Sequence, residues 1–467
     1  MRRFKTPDRG QLMLFPPNLN DWVGDEHPAR YVVDFVETLD LRGFYAEYGD
    51  SGEGQPPYDP KMMLAILLYA NMLGISSSRK IERLLTDDIG FRFIAGHLTP
   101  DHDTISDFRQ RHARRLREVF IGCVNLAVKA GVVGLNHVAI DGTKVRANAA
   151  QTAKRTEEQL RQEIEQIKKF VGDYFGECDR VDQQEDEEFG KGNNGYLLPD
   201  FLKDGDARRK WIKEQLEEMG AQFQEQPRHE SKKVEQEKPK NTKLKKKLER
   251  FRKAKAKLEE KERKRKEDDP TGKRERDAER KRGTPYVPKI NVTDPDARTM
   301  LFNEGGYKEG FNCQIAVDSE AGIIVAADVT QESNDLRQLA PMLLQTQSNT
   351  GWLPDHVSAD TGYFNVKQME DPRFKSVDFY IGPRAKGATE GDRSKSERMR
   401  EKLETELGRA LYAARKSIVE PVFGAIKHAR KFRQVLTRGK MMVTGEWNLV
   451  CAAHNLLKLY KLGVVPV

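Results

Sequence analysis

From residue 151 to residue 284 the chain is too poor in apolar residues to build a core, so whatever folds must be assembled from the stretches on either side. Leu160, Ile164, Ile167 and Val171 recur at i, i+4, i+7 and i+11 on an otherwise charged segment, which predicts a helix with one narrow apolar stripe. Leu244, Leu248, Phe251 and Leu258 make a second sparse stripe. Two stripes of that width predict a helical hairpin or coiled-coil arm inserted into a domain. Acidic, glycine-containing residues 173 to 195 read as a loop, and the Pro270 and Gly283 regions close the insertion. Charge follows the same division. Residues 231 to 282 hold 24 Lys and Arg against 12 Asp and Glu, a surplus of twelve, whereas the whole chain carries +8, so the remainder is net acidic by four. Such a basic block can neutralise phosphates along a nucleic acid or form a solvated helix face, and charge alone does not separate the two.

The 467 residues suffice for two to four domains. The four cysteines, Cys123, Cys178, Cys313 and Cys451, are too far apart for a zinc or disulfide framework, which points to a reducing cytoplasm. No apolar run approaches a membrane span, and the start, Met1 to Lys5, has no apolar signal region behind it. A soluble, unexported protein is expected.

Helical periodicity dominates the first 130 residues. Helices are expected over residues 29 to 39, from Pro60 behind an Asp59 cap to a stop near Gly74, after the serines at 76 to 78, over residues 88 to 95, behind Asp103 or Thr104, and over residues 119 to 130. Arg79 and Lys80 on one of these, and Arg109 and Arg111 on a later one, give a short-helix, basic-helix pattern like that of a helix-turn-helix DNA reader. His97, His102 and His112 match no standard ligand spacing and read as capping or exposed residues.

Strand signals frame the charged insertion. Val138 to Ile140 is a short β-branched run that delivers Asp141 into Gly142, read as a turn, with Lys144 and Arg146 two residues apart and so on one side of an extended backbone. After the insertion, residues 312 to 317 and 322 to 329 form a predicted antiparallel hairpin. Ser333, Asn334 and Asp335 are available to cap a helix starting at Leu336, and a strand over 356 to 359 ends in Asp360, followed by Thr361, Gly362 and Tyr363. A further strand covers 377 to 381. Glu420 precedes Pro421, which places it near a helix start, and Lys427 returns to the same face seven residues on, with Gly424 between them leaving room for close approach. Val422, Phe423, Ile426 and Ala429 form the apolar face. Asp318 and Asp328 lack the flanks of these motifs, and Cys451 and His454 lie on an apolar helix, so all four read as structural. Two strand-end aspartates and a helical glutamate are a hard oxygen set, the kind that holds Mg²⁺ while water and phosphate complete its shell.

The chain resembles the insertion-sequence DDE transposases. Asp141, Gly142, Thr143 and Lys144 are similar to the first-aspartate motif of that family, and Asp360, Thr361, Gly362 and Tyr363 to its second, aspartate, any residue, glycine, aromatic. Tyr412, Arg415, Glu420 and Lys427 resemble the third, tyrosine, arginine, glutamate, lysine, except that four residues instead of three separate Arg415 from Glu420, which leaves Lys416 as an alternative to Arg415. Residues 59 to 112 resemble the helical domain that precedes such catalytic cores, and a helical insert between the two aspartates resembles one branch of these elements. The resemblance implies an α/β, ribonuclease-H-like catalytic domain with a mixed sheet flanked by helices, formed by residues 131 to 150 and 285 to 467. It also implies an all-α DNA-binding domain over 1 to 130 and a charged helical insertion over 151 to 284. It implies that Asp141, Asp360 and Glu420 are catalytic and bind Mg²⁺, with Mn²⁺ as a substitute. Lys144, Arg146, Tyr412, Arg415, Lys427, Arg79, Lys80, Arg109 and Arg111 would contact DNA. The implied activity is cleavage and strand transfer at the inverted-repeat ends of a mobile element, on double-stranded DNA, by a homodimer in a prokaryotic cytoplasm. Two other readings of the same residues are a ribonuclease-H-like endonuclease without strand transfer and an inactive DNA-binding protein with a coiled-coil arm.

Overall fold

The computed structural model describes residues 18–48, 56–170, 238–270, 287–302, 304–383 and 390–466, with isolated positions 180, 183, 276, 279, 280, 283 and 285. It divides into two compact units, Met1–Gln151 with Asp296–Val467, and Thr152–Pro295. Val171 and nearly all of the loop expected over 173 to 195 lie outside the described residues.

The first unit opens with α1 (Pro28–Glu37), α2 (Pro60–Met72), α3 (Ser78–Asp87), α4 (Ile89–Ala95), α5 (His102–Arg111) and α6 (Leu116–Lys129). Their boundaries follow local chemistry. Asp59 accepts from the Lys61 N–H and Pro60 occupies the first turn of α2, whereas Gly74, at φ 73°, follows its end. Ser77 caps α3, and Asp101 caps α5, two residues before the expected Asp103. His112 is buried, not exposed, and its Nε2 lies 3.2 Å from the Tyr48 hydroxyl.

Six strands form the sheet: β1 (His137–Arg146), β2 (Arg298–Leu301), β3 (Tyr307–Asp318), β4 (Ile324–Thr330), β5 (His356–Ala359) and β6 (Asp378–Ile381). β3, β1, β5 and β6 lie side by side in that order. β1 is antiparallel to β3 and parallel to β5, and β5 is parallel to β6. Along its other edge the long β3 pairs first with β2 and then with β4, both antiparallel. This mixed order, with helices on both faces, is the expected ribonuclease-H-like arrangement.

Alternation along the strands feeds two cores. Ala139, Val145, Phe311, Cys313 and Ile315 pack with α1, α2, α6 and the last helix, where Trp447 is fully buried. Val138, Ile140, Ala316 and Ala326 pack on the other face against Leu339, Met342 and Leu343 of α8 (Leu339–Thr350). The helix of the basic block is α7 (Lys238–Asp268), and the chain ends with α9 (Glu390–Glu404), α10 (Glu406–Gly424) and α11 (Lys440–Lys461). The helices before the sheet therefore share a core with α11, the last element. Cys451 and His454 are buried in α11, as core residues.

In the second unit, helical residues 157–170 and α7 bury Leu160, Ile164, Ile167, Phe251, Ala254 and Leu258 together with Ile290 and Val292. The two sparse stripes do meet. Short strands Lys154–Arg155 and Ile290–Asn291 pair within the same unit. No described helix is long and apolar enough to cross a membrane.

Candidate active site

The site grows from the register of β1. Gly142 does not turn the chain, as its Asp-Gly context predicted: β1 runs through to Arg146, and Gly142 pairs with Gln314 in mid-strand. The length of β3 explains this, since it offers partners from Asp318 opposite Val138 to Gly310 opposite Arg146. On its other side β1 pairs with β5 from His137 with His356 to Ile140 with Ala359. The next residue on each strand is an aspartate. Parallel neighbours lie about 4.8 Å apart, so the register sets Asp141 and Asp360 side by side at one sheet end.

Asp360 ends its strand by capping the turn Thr361–Tyr363, its Oδ1 accepting the Gly362 N–H at 2.8 Å. Asp141 Oδ1 accepts the Gly142 N–H at 2.8 Å, and its Oδ2 lies 3.8 Å from Arg415 Nη1 on α10. The Asp141 side chain is 23% exposed. Burial is the chief cause that pushes its carboxyl up to about 6; Asp360 and Asp335 push the same way, while the Gly142 N–H and Arg415 oppose them. A cleft lined by Asp360, Thr361, Tyr412, Ala413, Arg415 and Lys416 opens beside them. Of the two candidates for the arginine position, Arg415 is the one that meets Asp141, while Lys416 is exposed on the same cleft.

The remaining expected residues scatter more widely. Glu420 is exposed and sits in the last turns of α10, not at a helix start, because Pro421 is accommodated inside the helix. Proline there removes one backbone donor, and after Gly424 the helix passes into a π-helical turn, Ala425–Ala429. Lys427 lies in that turn, its Nζ donating to the Lys144 carbonyl at 3.2 Å. Burial lowers the pKa of Lys427 while nearby Asp141 acts against the shift. Val422 and Ile426 are buried as expected, but Ala429 is exposed, and a Cβ on Gly424 would meet nothing within 4 Å, so that glycine serves no close approach. Lys144 and Arg146 are half-buried, and strand alternation puts them on the face opposite Asp141. Arg79, Lys80 and Arg111 are exposed. Arg109 is not: it is 6% exposed, and its guanidinium donates to the Ser76 carbonyl at 3.0 Å, so it ties α5 to the loop between α2 and α3 and is turned away from any DNA surface.

Asp335 belongs here although sequence reasoning assigned it to a helix cap. α8 starts at Leu339, three residues later than expected, and the Asp335 side chain turns inward. Its Oδ1 accepts from Asn312 Nδ2 and Gln314 Nε2, each at 2.7 Å. The signal was present on β3: two amides at alternate positions of a buried strand must find polar partners.

Residues 17–111 match the family described as Transposase domain (DUF772), and residues 288–456 match the Transposase DDE domain. The chain belongs to the DDE transposases. Asp360, Tyr412, Glu420 and Lys427 of this transposase fall within the DDE match, whereas Asp141 precedes it and is supplied by the pairing of β1 with β3 and β5. No curated protein and no solved structure matches the chain significantly. Among the described residues no group of three or more His, Cys, Asp or Glu side chains is placed so that it could hold a metal ion. Asp141 and Asp360 fit a hard divalent cation, because their oxygens sit on rigid backbone and a cation would relieve the burial and repulsion that raise the Asp141 pKa.

Proposed function

We propose that this transposase cuts the inverted-repeat ends of a mobile element and joins them to target DNA, with Asp141, Asp360 and Glu420 as its acidic residues. The observation that carries the reading is the register that places Asp141 beside Asp360 at the mouth of the Tyr412 and Arg415 cleft. Asp141 and Asp360 would hold Mg²⁺, or Mn²⁺ in its place, with Glu420 reaching in from α10. When bound, the ion supplies Lewis acidity toward the phosphodiester and toward the attacking hydroxyl group. The chain's own cations then have separate tasks. Arg415 neutralises Asp141 and orients it; Lys427, held at the Lys144 carbonyl, offers a point charge to a neighbouring phosphate. Lys144 and Arg146 take phosphates on the opposite face of β1, and Tyr412 flanks the cleft. Arg79, Lys80 and Arg111 are exposed for backbone contacts with duplex DNA, each of which steepens the salt dependence of binding. Joining two ends calls for two copies of the chain on DNA.

Incubation of the full chain with linear DNA ending in the element's inverted repeats, in Mg²⁺ or Mn²⁺, tests the reading. Joined products are expected, and cutting without joining would instead identify an endonuclease. Asp360→Asn is expected to abolish cutting while end binding, read by mobility shift, stays at the parental level. Undiminished cutting by that variant would remove Asp360 from the mechanism.

A further inference from the structure

We propose that Asp335 is an additional working carboxylate of this centre, needed for its negative charge beside Asp141 and Asp360 and directed to the same divalent cation; the proposal rests on the metal-dependent reading above.

The argument starts from Gln314. This side chain is fully buried in the middle of β3, where an unpaired amide would cost about 1–3 kcal/mol. Both of its ends are taken. Its Oε1 accepts the hydroxyl of Tyr363, the aromatic residue of the second aspartate motif, and its Nε2 donates to Asp335 Oδ1. Asn312, two residues earlier on the same strand, donates to that same oxygen. Asp335 is thus held through one oxygen by two amides of the central sheet, a rigid mount for a carboxylate.

The glycines of both aspartate motifs border this carboxylate. A Cβ at Gly142 would stand 2.4 Å from Gln314 Nε2 and 2.8 Å from Asp335 Oδ1. A Cβ at Gly362 would stand 2.8 Å from Asp360 Oδ1 and 3.5 Å from Asp335 Oδ2. The missing side chain of Gly362 leaves space between Asp335 Oδ2 and Asp360 Oδ1, and that of Gly142 leaves room for the contact of Gln314 Nε2 with Asp335 Oδ1.

The charge of Asp335 is the informative feature. An asparagine carbonyl would accept the same two hydrogen bonds without repelling Asp141 and Asp360. A third carboxylate disfavours the fold locally and favours a cation, whose hard oxygen shell it extends.

An exchange of partners tests the proposal in the full chain. Asp335→Asn keeps both amide bonds. Gln314→Glu sets two carboxylates against each other, so it is expected to lose stability at pH 8. In the double variant the amide at position 335 donates to the carboxylate at position 314, which restores that one pair with donor and acceptor interchanged while Asn312 keeps the Glu332 carbonyl, and the negative charge moves one residue deeper, away from the centre. Thermal melts with and without Mn²⁺, together with DNA cleavage, give the readout. Asp335→Asn is expected to melt no lower than the parent without the ion, yet to need at least about tenfold more Mn²⁺ for the same stabilisation and to cut poorly. The double variant should recover the melting temperature lost in Gln314→Glu without recovering either the Mn²⁺ response or cleavage. Parental Mn²⁺ affinity and cleavage in Asp335→Asn, or their return in the double variant, would reduce Asp335 to a structural residue and overturn the proposal. If Mn²⁺ leaves the melting temperature of the parent and of Asp141→Asn alike unchanged, the metal-dependent reading falls and this proposal with it.

Discussion

Asp141→Asn is expected to abolish DNA cleavage and at the same time to make the protein harder to unfold at pH 8. The two effects share one cause. Burial pushes the Asp141 carboxyl from its ordinary value of 3.8 up to about 6, with Asp360 and Asp335 adding to the shift. Between those two values the folded chain binds the proton that the unfolded chain has released, so stability falls as pH rises through that window. Above it the full penalty is present, roughly 2–3 kcal/mol for a shift of about two pH units at a site that is only one quarter exposed. Asparagine has nothing to ionise. The variant should therefore match the parent near pH 4 and exceed it at pH 8, with the difference growing between those points. Denaturant melts at pH 4, 6 and 8 read this directly. Mg²⁺ should narrow the gap at pH 8 by stabilising the parent alone, and its affinity should weaken as Asp141 takes up its proton near pH 6. A variant less stable than the parent at pH 8 would mean that Asp141 holds the fold together, contrary to the electrostatics of the site.

The parts of this centre that could be read in the sequence are those set by local pattern. Two short strand-like runs, each leading to aspartate with a glycine nearby, mark Asp141 and Asp360, although only Asp360 follows the end of its strand, and the resemblance of their flanks identifies the family. What sequence could not supply was the third dimension of β3. Seen alone, Asp141-Gly142 is a turn, and only a partner strand extending to Gly310 opposite Arg146 keeps the backbone straight. Seen alone, Asp335 after Ser333 and Asn334 is a helix cap, and only the buried amides of Asn312 and Gln314 draw it inward. Arg109 shows the same limitation in a helix. Its place among other arginines marks a basic surface, yet the packing of α5 turns it onto the Ser76 carbonyl. Pro421 misled for a related reason: proline favours the first turn of a helix, but the handover to a π-helical turn at Ala425 lets α10 absorb it near the other end.

Gly142→Ala is expected to destabilise the molecule strongly, and for a reason unlike the one its sequence context offered. Its backbone lies within a regular strand, so alanine is acceptable in conformation. Space is what fails. The added Cβ would stand 2.4 Å from Gln314 Nε2, an atom held at both ends by Tyr363 and Asp335 within a buried strand. Gln314 cannot yield without releasing one partner. Overpacking of about 1–3 kcal/mol then adds to the loss of a buried hydrogen bond, for a total of roughly 2–4 kcal/mol read from denaturant melts. Gly424→Ala is the control, because a Cβ there meets nothing within 4 Å at the end of α10. There the methyl should be neutral or stabilise by up to about 1 kcal/mol, through the reduced freedom of the unfolded chain. Equal effects at the two glycines would show that Gly142 answers only to backbone preference. The predicted disparity instead makes its missing side chain the space through which Gln314 reaches Asp335, and ties the first aspartate motif to a carboxylate nearly two hundred residues away.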